Sequence, residues 1–267
     1  MPLSARATPK LVRAWRLMRV LLHVVRGTLI TLILFPRSSL ATRRRHVQRW
    51  SAQLLEILHI RLKVDGVLPD CPVLVVSNHI SWVDIFVLDA ARPLRFVSKA
   101  EVAGWPLIGR LAGASETLYI ERENTRAIAD VVGAVTAALQ LGNCVGIFPE
   151  GTTGSGEDVK RFHASFFETV RISGAALVPA AIAYIDPRGE RQAAFAYIND
   201  MSLVDSLGQI LACQETHVRL KFLAPLATAA HSRRELAAEA QDAVAQALTQ
   251  AYRNRPETAR DLQAGQH

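Results

Sequence analysis

Cysteine is scarce in this chain of 267 residues. The three cysteines, Cys71, Cys144 and Cys213, are scattered and lack the paired spacing of a zinc site. We therefore predict reduced, buried thiols, and neither a disulfide framework nor a zinc site. The chain also lacks the G-x-x-x-x-G-K-[ST] phosphate loop, the H-E-x-x-H metalloprotease motif and the G-x-S-x-G turn of hydrolases, which argues against those enzyme classes.

Acidic residues are absent before Glu56, although the chain contains 24 of them. This stretch holds 11 of the 31 Lys and Arg residues, so the net charge of +7 belongs to the N-terminal segment. Basic residues interleaved with long aliphatic ones suit an anionic membrane surface. Nucleic acid is not expected as a partner, because the segment lacks aromatic side chains interleaved for base stacking.

Uninterrupted apolar runs are too short to cross a bilayer. Residues 17–35 have the length of a span, but Arg19, His23 and Arg26 interrupt them. An Arg near the centre of a span costs about 2.5–3.5 kcal/mol, and a secretory signal would not usually carry Arg26 in its apolar region. We therefore favour a helix lying in the interface over a full transmembrane span.

Strand-like and helix-like patterns alternate from residue 61 onward. The predicted strands are 61–67, 73–77, 95–98, 117–121, 145–148, 177–184 and 218–223. The predicted helices are 82–91, 125–141, 163–173 and 232–252, and the glycines and proline between residues 98 and 117 predict turns. The pattern predicts an α/β fold with a mostly parallel or mixed sheet flanked by helices.

Three regions follow from this pattern. Residues 1–60 are expected to form basic, apolar membrane-associating helices, the second of them over 43–59. The apolar face of that second helix could cover either lipid or the domain behind it. Residues 61–253 are expected to form the α/β domain, and 254–267 a polar tail that frays.

Two polar motifs follow predicted strands, where α/β sheets commonly place their sites. Asn78-His79 comes after 73–77, with Asp84 five positions beyond His79, and Phe148-Pro149-Glu150-Gly151-Thr152 comes after the strand that begins at 145. A histidine held by a carboxylate can accept a proton from an alcohol near neutral pH. Taken alone, His79 could equally cap a helix, and Glu150 could be a turn carboxylate that bonds to backbone amides.

These motifs resemble those of the glycerolipid acyltransferase family, which includes lysophospholipid acyltransferases. Two further blocks occur in the family's order, Leu118-Tyr119-Ile120-Glu121-Arg122 and 177–182, and the resemblance covers roughly 73–183. It implies that His79 is the general base and Asp84 its orienting partner. It also implies that Arg122 contacts an anion, although a surface ion pair with Glu121 or Glu123 is the simpler alternative. The implied substrate-binding residues are Asn78, Arg122, Glu150, Gly151 and Thr152.

The resemblance implies acyl transfer from acyl-CoA or acyl-carrier protein to the free hydroxyl of a lysolipid, with no cofactor, at the cytoplasmic face of the cell membrane. The implied acceptor is 1-acyl-sn-glycerol-3-phosphate. However, the family commonly has F-P-E-G-T-R-S, and Thr153 stands here in place of that Arg, with Lys160 and Arg161 following. Lyso-ornithine lipid is therefore an alternative acceptor. A non-catalytic lipid-binding module and a thioesterase or lipase are the alternatives from other classes.

Overall fold

In the computed structural model, the described residues (8–99, 103–104, 108–114, 116–120 and 126–253) form a seven-stranded sheet with helices on both faces. The strands are β1 (Ile60–Asp65), β2 (Val73–Ser77), β3 (Arg95–Lys99), β4 (Leu118–Ile120), β5 (Cys144–Ile147), β6 (Ala176–Ile185) and β7 (Thr216–Phe222). The helices are α1 (Lys10–Ile33), α2 (Leu40–Ile57), α3 (Asp84–Ala91), α4 (Ile108–Ala114), α5 (Arg126–Gln140), α6 (Glu168–Ser173), α7 (Leu203–Ala212) and α8 (Arg233–Arg253).

The strand order across the sheet is β1-β7-β6-β2-β5-β3-β4. All neighbouring strands run parallel except β6 and β7, which are antiparallel. The carboxyl ends of β2, β5 and β6 therefore lie at one edge of the sheet. The prediction of a mixed α/β sheet flanked by helices is confirmed.

Strand β2 shows why this part of the sequence is an unbroken apolar run. Val73 and Val75 contact the core cluster beneath α2, α3 and α7, whereas Leu74 and Val76 contact the cluster beneath α5, α6 and α8. Every residue of β2 is buried. Successive strand residues point to opposite faces, so a central strand covered on both sides needs apolar residues at every position.

Two helices lie where the sequence analysis predicts none. Helix α4 occupies the stretch with the predicted turns, although Gly109 and Gly113 fall within it. Helix α7 begins after Ser202, whose hydroxyl accepts a hydrogen bond from the Asp205 amide. The Ser-x-x-Asp spacing is a helix-start signal that could have predicted α7.

Helix α1 lies against the body of the protein along its length. The Thr8 hydroxyl donates to the carbonyl of Ala212 (2.9 Å), the Arg16 guanidinium to that of Cys213 (2.6 Å), and His23 Nε2 lies 2.9 Å from the carbonyl oxygen of Trp50. The helix is also long and apolar enough to cross a membrane, with a mean hydropathy of 1.8 in its most apolar window, of which 22% is buried. The buried polar side chains of α1, Arg16, His23 and Thr28, thus face the protein.

An exposed stripe of large apolar side chains covers the opposite side of α1. These residues are 42% to 85% exposed and recur every three or four positions: Leu11, Trp15, Met18, Leu22, Val25, Leu29 and Leu32. This spacing places them on one helix face. The arrangement inverts that of a soluble surface helix, whose apolar face packs on the core.

A disulfide joins Cys71 and Cys144, whose Cα atoms are 5.3 Å apart. The prediction that these cysteines are reduced was therefore wrong. Parallel pairing places Val73 beside Cys144. It thereby brings Cys71 close to Cys144, although the two cysteines lie 73 positions apart in the sequence. Spacing in the sequence cannot reveal that proximity. Cys213 is free and half-buried, and burial raises the pKa of its thiol.

Asp89 is a buried carboxyl in α3 whose oxygen accepts one hydrogen bond, from the Leu94 amide (3.0 Å). Burial raises its pKa to about 8 from an ordinary value of 3.8. Between these values the unfolded chain releases a proton that the folded chain keeps, so stability falls as the pH rises. The slope is on the order of 1 kcal/mol per pH unit.

We expect Asp89→Asn to remove this slope, because the amide oxygen can still accept from Leu94 and the group no longer ionises. The variant should be more stable than the parent at pH 8 by a few kcal/mol (on the order of 2–4) and similar to it near pH 4. Denaturation melts across this range measure the difference. Asp158→Asn, at an exposed position, is the control; a parental slope in Asp89→Asn would contradict the prediction.

Candidate active site

The candidate site lies where the carboxyl ends of β2 and β5 meet. These two strands are parallel neighbours, and they end at Ser77 and Ile147. The chain after β2 supplies His79, and the chain after β5 supplies Glu150. The sheet thereby brings together two motifs separated by 71 positions, at the edge where α/β folds commonly bind their ligands.

Asn78 fixes the start of the loop that carries His79. Its side chain is buried, and its amide group donates to the Ile182 carbonyl (3.0 Å) and accepts from the Ile182 amide (2.9 Å). Asn78 therefore bonds to the backbone of β6 in the manner of a neighbouring strand. This contact positions the loop, and the substrate-binding role that the motif implies for Asn78 stays a prediction.

Asp84, the first residue of α3, is fully buried and accepts four hydrogen bonds. Its Oδ2 accepts from Nδ1 of His79 (2.9 Å) and from the amides of Ile80 (2.7 Å) and Ser81 (2.9 Å). Its Oδ1 accepts from the hydroxyl of Tyr184 (2.6 Å). Because Nδ1 of His79 faces a carboxylate, it carries the proton, and the lone pair of the ring lies on Nε2.

The ring of His79 is held flat against Phe148. The two ring centroids are 4.0 Å apart and the planes differ by 11°. The His79 side chain is 20% exposed, so the stacked ring still reaches solvent along one edge. Stacking together with the bond to Asp84 sets the ring plane, which a general base requires in order to meet a substrate proton in line.

Glu150 connects the two motifs through the backbone. Its buried carboxylate accepts from the His79 amide through Oε1 (2.8 Å) and from the Lys160 amide through Oε2 (3.1 Å). Burial raises the pKa of Glu150, and these hydrogen bonds oppose the rise. Gly151 follows with a φ of 71°, which favours glycine, and Thr152 is exposed. The geometry matches the alternative in which Glu150 bonds to backbone amides.

The loop beyond Thr152 closes over His79 and contains the departure from the family motif. The Gly154 amide donates to the His79 carbonyl (2.7 Å), and the Thr153 hydroxyl donates to the carbonyl of Tyr197. The Lys160 ammonium donates to the Thr153 carbonyl (2.8 Å). A cation thus lies beside position 153 although the residue there is neutral.

Arg122 lies outside the described residues, as do Glu121 and Glu123. Its implied contact with an anion therefore stays a prediction.

Tyr184 is a site residue that the sequence analysis does not identify. It lies in β6, is buried, and stacks on Phe195 with a centroid distance of 4.5 Å. Burial raises the pKa of Tyr184 well above its ordinary value, so its hydroxyl remains a donor. A tyrosine in an otherwise aliphatic buried strand could have indicated this role, because a buried hydroxyl usually has a hydrogen-bond partner.

We expect Tyr184→Phe to act through Asp84 and His79. Without the hydroxyl, Oδ1 of Asp84 loses its donor, so the carboxylate that holds the His79 ring is less firmly oriented. We expect kcat to fall about 3–10-fold while the KM of the acceptor changes little. A lowered Tm with an unchanged kcat would indicate that Tyr184 is only structural.

The site contains the two groups that a histidine-based proton acceptor needs. A buried carboxylate orients the imidazole through Nδ1 and can stabilise its protonated form, and the ring is partly exposed. Within the residues that the structure describes, no three His, Cys, Asp or Glu side chains lie close enough to hold a metal ion. Fold and site together define an α/β protein with a histidine held by a buried carboxylate at the carboxyl edge of its sheet, an arrangement that can accept a proton from a hydroxyl.

Comparison with known proteins specifies this class. Residues 59–183 match the family model described as Acyltransferase. A lyso-ornithine lipid O-acyltransferase of Pseudomonas aeruginosa is 38% identical over 208 residues, which cover 77% of this chain and 79% of that protein. A 1-acyl-sn-glycerol-3-phosphate acyltransferase of Neisseria meningitidis is 34% identical over 184 residues, covering 68% and 72%. The chain belongs to the acyltransferase family.

A solved structure has the same architecture. The 1-acyl-sn-glycerophosphate acyltransferase PlsC from Thermotoga maritima superimposes with a TM-score of 0.65 at 18% sequence identity. The match covers 88% of this chain and 97% of that one. At this identity the similarity concerns the fold. The family predicted from the motifs is confirmed by the family model and the two relatives.

Proposed function

We propose that this acyltransferase moves a fatty acyl group from acyl-CoA or acyl-carrier protein to the free hydroxyl of a lysolipid. The His79–Asp84 pair carries the proposal, because it supplies an oriented base for a hydroxyl proton. The names of the two relatives support it, since both describe acyl transfer to a lysolipid.

The chemistry needs one proton acceptor and no covalent intermediate, because a thioester is already activated. Nε2 of His79 accepts the hydroxyl proton while the hydroxyl oxygen attacks the thioester carbonyl carbon. The new C–O bond forms, the C–S bond breaks, and the departing thiolate takes the proton from the imidazolium. Asp84 stabilises the imidazolium during this step.

Two acceptors are candidates, and a different observation supports each of them. Lyso-ornithine lipid fits the loss of the family's Arg, because the Thr153 side chain is bonded to Tyr197 and presents no charge to a phosphate. 1-Acyl-sn-glycerol-3-phosphate fits the position of Lys160, whose ammonium lies beside residue 153 and could pair with a phosphate. Arg122 is the further cation that the family resemblance assigns to an anion contact.

The contacts of α1 favour a helix in the membrane plane. Its polar face contacts the body from Thr8 to Phe35, where Arg43 lies over the Phe35 ring. If the helix crossed the bilayer, the charged surface of the body that contacts α1 would lie in the hydrocarbon core, where unsatisfied polar groups are costly. Lying in the interface, the same helix buries its apolar stripe among the acyl chains and keeps the protein in water. Because the proposed donors are cytoplasmic thioesters, we place the enzyme at the cytoplasmic face of the inner membrane.

A panel of lysolipid acceptors tests the proposal. The full chain in membranes is incubated with acyl-CoA or acyl-carrier protein thioesters, and products are identified by mass spectrometry. We expect acylated lipid from lyso-ornithine lipid, 1-acyl-sn-glycerol-3-phosphate or both. Donor that stays intact with every acceptor would indicate a lipid-binding module. Free fatty acid in place of acylated lipid would indicate a thioesterase or lipase.

A further inference from the structure

The edge of the sheet opposite His79 carries a cleft rich in arginine. Two adjacent cavities share Arg43 and Glu116. The larger is open, has a volume of about 330 Å³ and includes Arg110, whereas the smaller includes Arg44 and Arg95. We call Arg43, Arg44, Arg95 and Arg110 the arginine cleft. A volume of this size suits a small polar head group.

Three of these guanidinium groups are fixed in direction by neutral acceptors. The bonds run from Arg43 to the Ser38 carbonyl (3.1 Å), from Arg44 to the Asn143 side chain (2.9 Å) and from Arg95 to the Glu116 carbonyl (3.0 Å). A neutral acceptor orients a guanidinium without cancelling its charge. Each Arg has five N–H donors, so further donors remain for a ligand.

The charge of the cleft is strongly unbalanced. Among the described residues that line the two cavities, Glu116 is the single acid, and its carboxylate lies 3.7 Å from Arg44. Glu116 also adopts a φ of 57°, a left-handed conformation unusual for this residue type. In that conformation its carbonyl faces Arg95 and its carboxylate faces Arg44. The lining of the two cavities thus holds four guanidinium groups against one carboxylate. This excess of positive charge favours an anion with several oxygens, and phosphate matches the forked donors of arginine.

An apolar rim borders the cleft. The larger cavity is lined by Thr31, in the last turn of α1, and by Phe35 and Pro36, which follow the helix. Large apolar side chains next to these residues are 43% to 58% exposed: Leu29, Leu32, Ile33, Leu34 and Leu40. A phosphate with attached acyl chains fits both halves of this surface, since its charge meets arginine and its chains meet the exposed stripe.

The cleft is separate from the reaction centre. Cys144 lines the smaller cavity and pairs with Val73, the first residue of β2. The four steps of β2 from Val73 to Ser77 span about 13 Å at the rise of a strand, and His79 lies two residues beyond them. A lipid held in the cleft therefore does not reach His79 with its head group.

We propose that the arginine cleft binds the phosphate of an anionic phospholipid of the bilayer as a non-substrate ligand. Such binding orients the protein so that the stripe of α1 enters the interface. The inference rests on the proposed membrane location of the enzyme and adds a specific lipid site to it.

Vesicle flotation of the full chain tests the cleft. The vesicles are phosphatidylcholine with and without phosphatidylglycerol. The variant Arg43→Gln/Arg110→Gln removes two charges from the larger cavity. We expect it to bind the anionic vesicles about 30-fold more weakly than the parent does, and the neutral vesicles equally well.

The matched control is Arg45→Gln/Arg49→Gln, which removes the same charge from exposed positions of α2, the helix that carries Arg43. We expect this control to lose less than about threefold. Equal losses in the two variants would overturn the site and leave only a diffuse attraction to charge. Inorganic phosphate is added at constant ionic strength as a second arm. Displacement from anionic vesicles by phosphate would show a site for free phosphate and overturn the assignment to a lipid.

Two further readouts separate this inference from the proposed function. Acyl transfer in neutral detergent micelles should be the same in the cleft variant and the parent, since the cleft is remote from His79. Matching melting temperatures would show that the variant folds. If the parent transfers no acyl group, the proposed function fails, whereas the flotation result still decides the lipid site.

Discussion

His79→Ala is expected to lower acyl transfer by about 10²–10⁴-fold, the usual contribution of a general base. The variant removes the Nε2 acceptor and leaves the hydroxyl proton to bulk water. The loss should fall on kcat, because the His79 amide and carbonyl still bond to Glu150 and Gly154 and keep the loop in place. The measurement is initial rate with the best acceptor of the panel.

Membrane association is the internal control for this variant. The contacts of α1 do not involve His79, so His79→Ala should float with vesicles as the parent does. His217→Ala is a matched control. His217 lies on β7, pairs with Glu215 (2.9 Å) and takes no part in the site. Normal turnover by His79→Ala would contradict the mechanism.

Asp84→Asn is expected to lower kcat by on the order of 10³-fold, compared with losses of up to about 10⁴ in the hydrolytic triads. One orientation of the amide fits the site. Its oxygen then takes the place of Oδ2 and accepts from His79, Ile80 and Ser81, while its NH₂ donates to Tyr184. The shape is therefore kept and the charge is lost, so the imidazolium formed during transfer is less stable.

Two readouts make this prediction specific. The KM of the acceptor should change little, because Asp84 is fully buried. Adding Tyr184→Phe to Asp84→Asn should lower kcat by less than Tyr184→Phe does in the parent, because both changes act through the same side chain. A large increase in KM with unchanged kcat would contradict the orienting role of Asp84.

Much of the fold follows from the sequence because its strands are buried on both faces. The apolar run Val73–Val76, followed by Ser77, predicts β2 with the bounds that the structure has. Helix α4 was missed because glycine indicates turns, and here packing against α1 overrides that local preference. The disulfide was missed for a different reason. It depends on which strands are neighbours in the sheet, and no local pattern specifies strand order.

The contact between His79 and Asp84 was predictable because both residues lie on one short segment. His79 and Asp84 are five positions apart, and the turn into α3 brings them to 2.9 Å. The contribution of Tyr184 comes from 100 positions away, so it depends on the pairing of β6 with β2. Glu150 was identified as a site residue from its motif. That its carboxylate would bond to the His79 backbone amide could be stated only with the two loops in place.

The contacts around His79 also link catalysis to the completeness of folding. The loop after β5 bonds to its amide and carbonyl, Tyr184 of β6 bonds to its partner Asp84, and the Tyr197 amide bonds to the Ile80 carbonyl (2.9 Å). Three strands must therefore be assembled before the imidazole has its working tautomer and orientation. A partly folded chain at the membrane would therefore bind lipid without consuming thioester. Acyl transfer by this protein requires that its sheet be fully assembled.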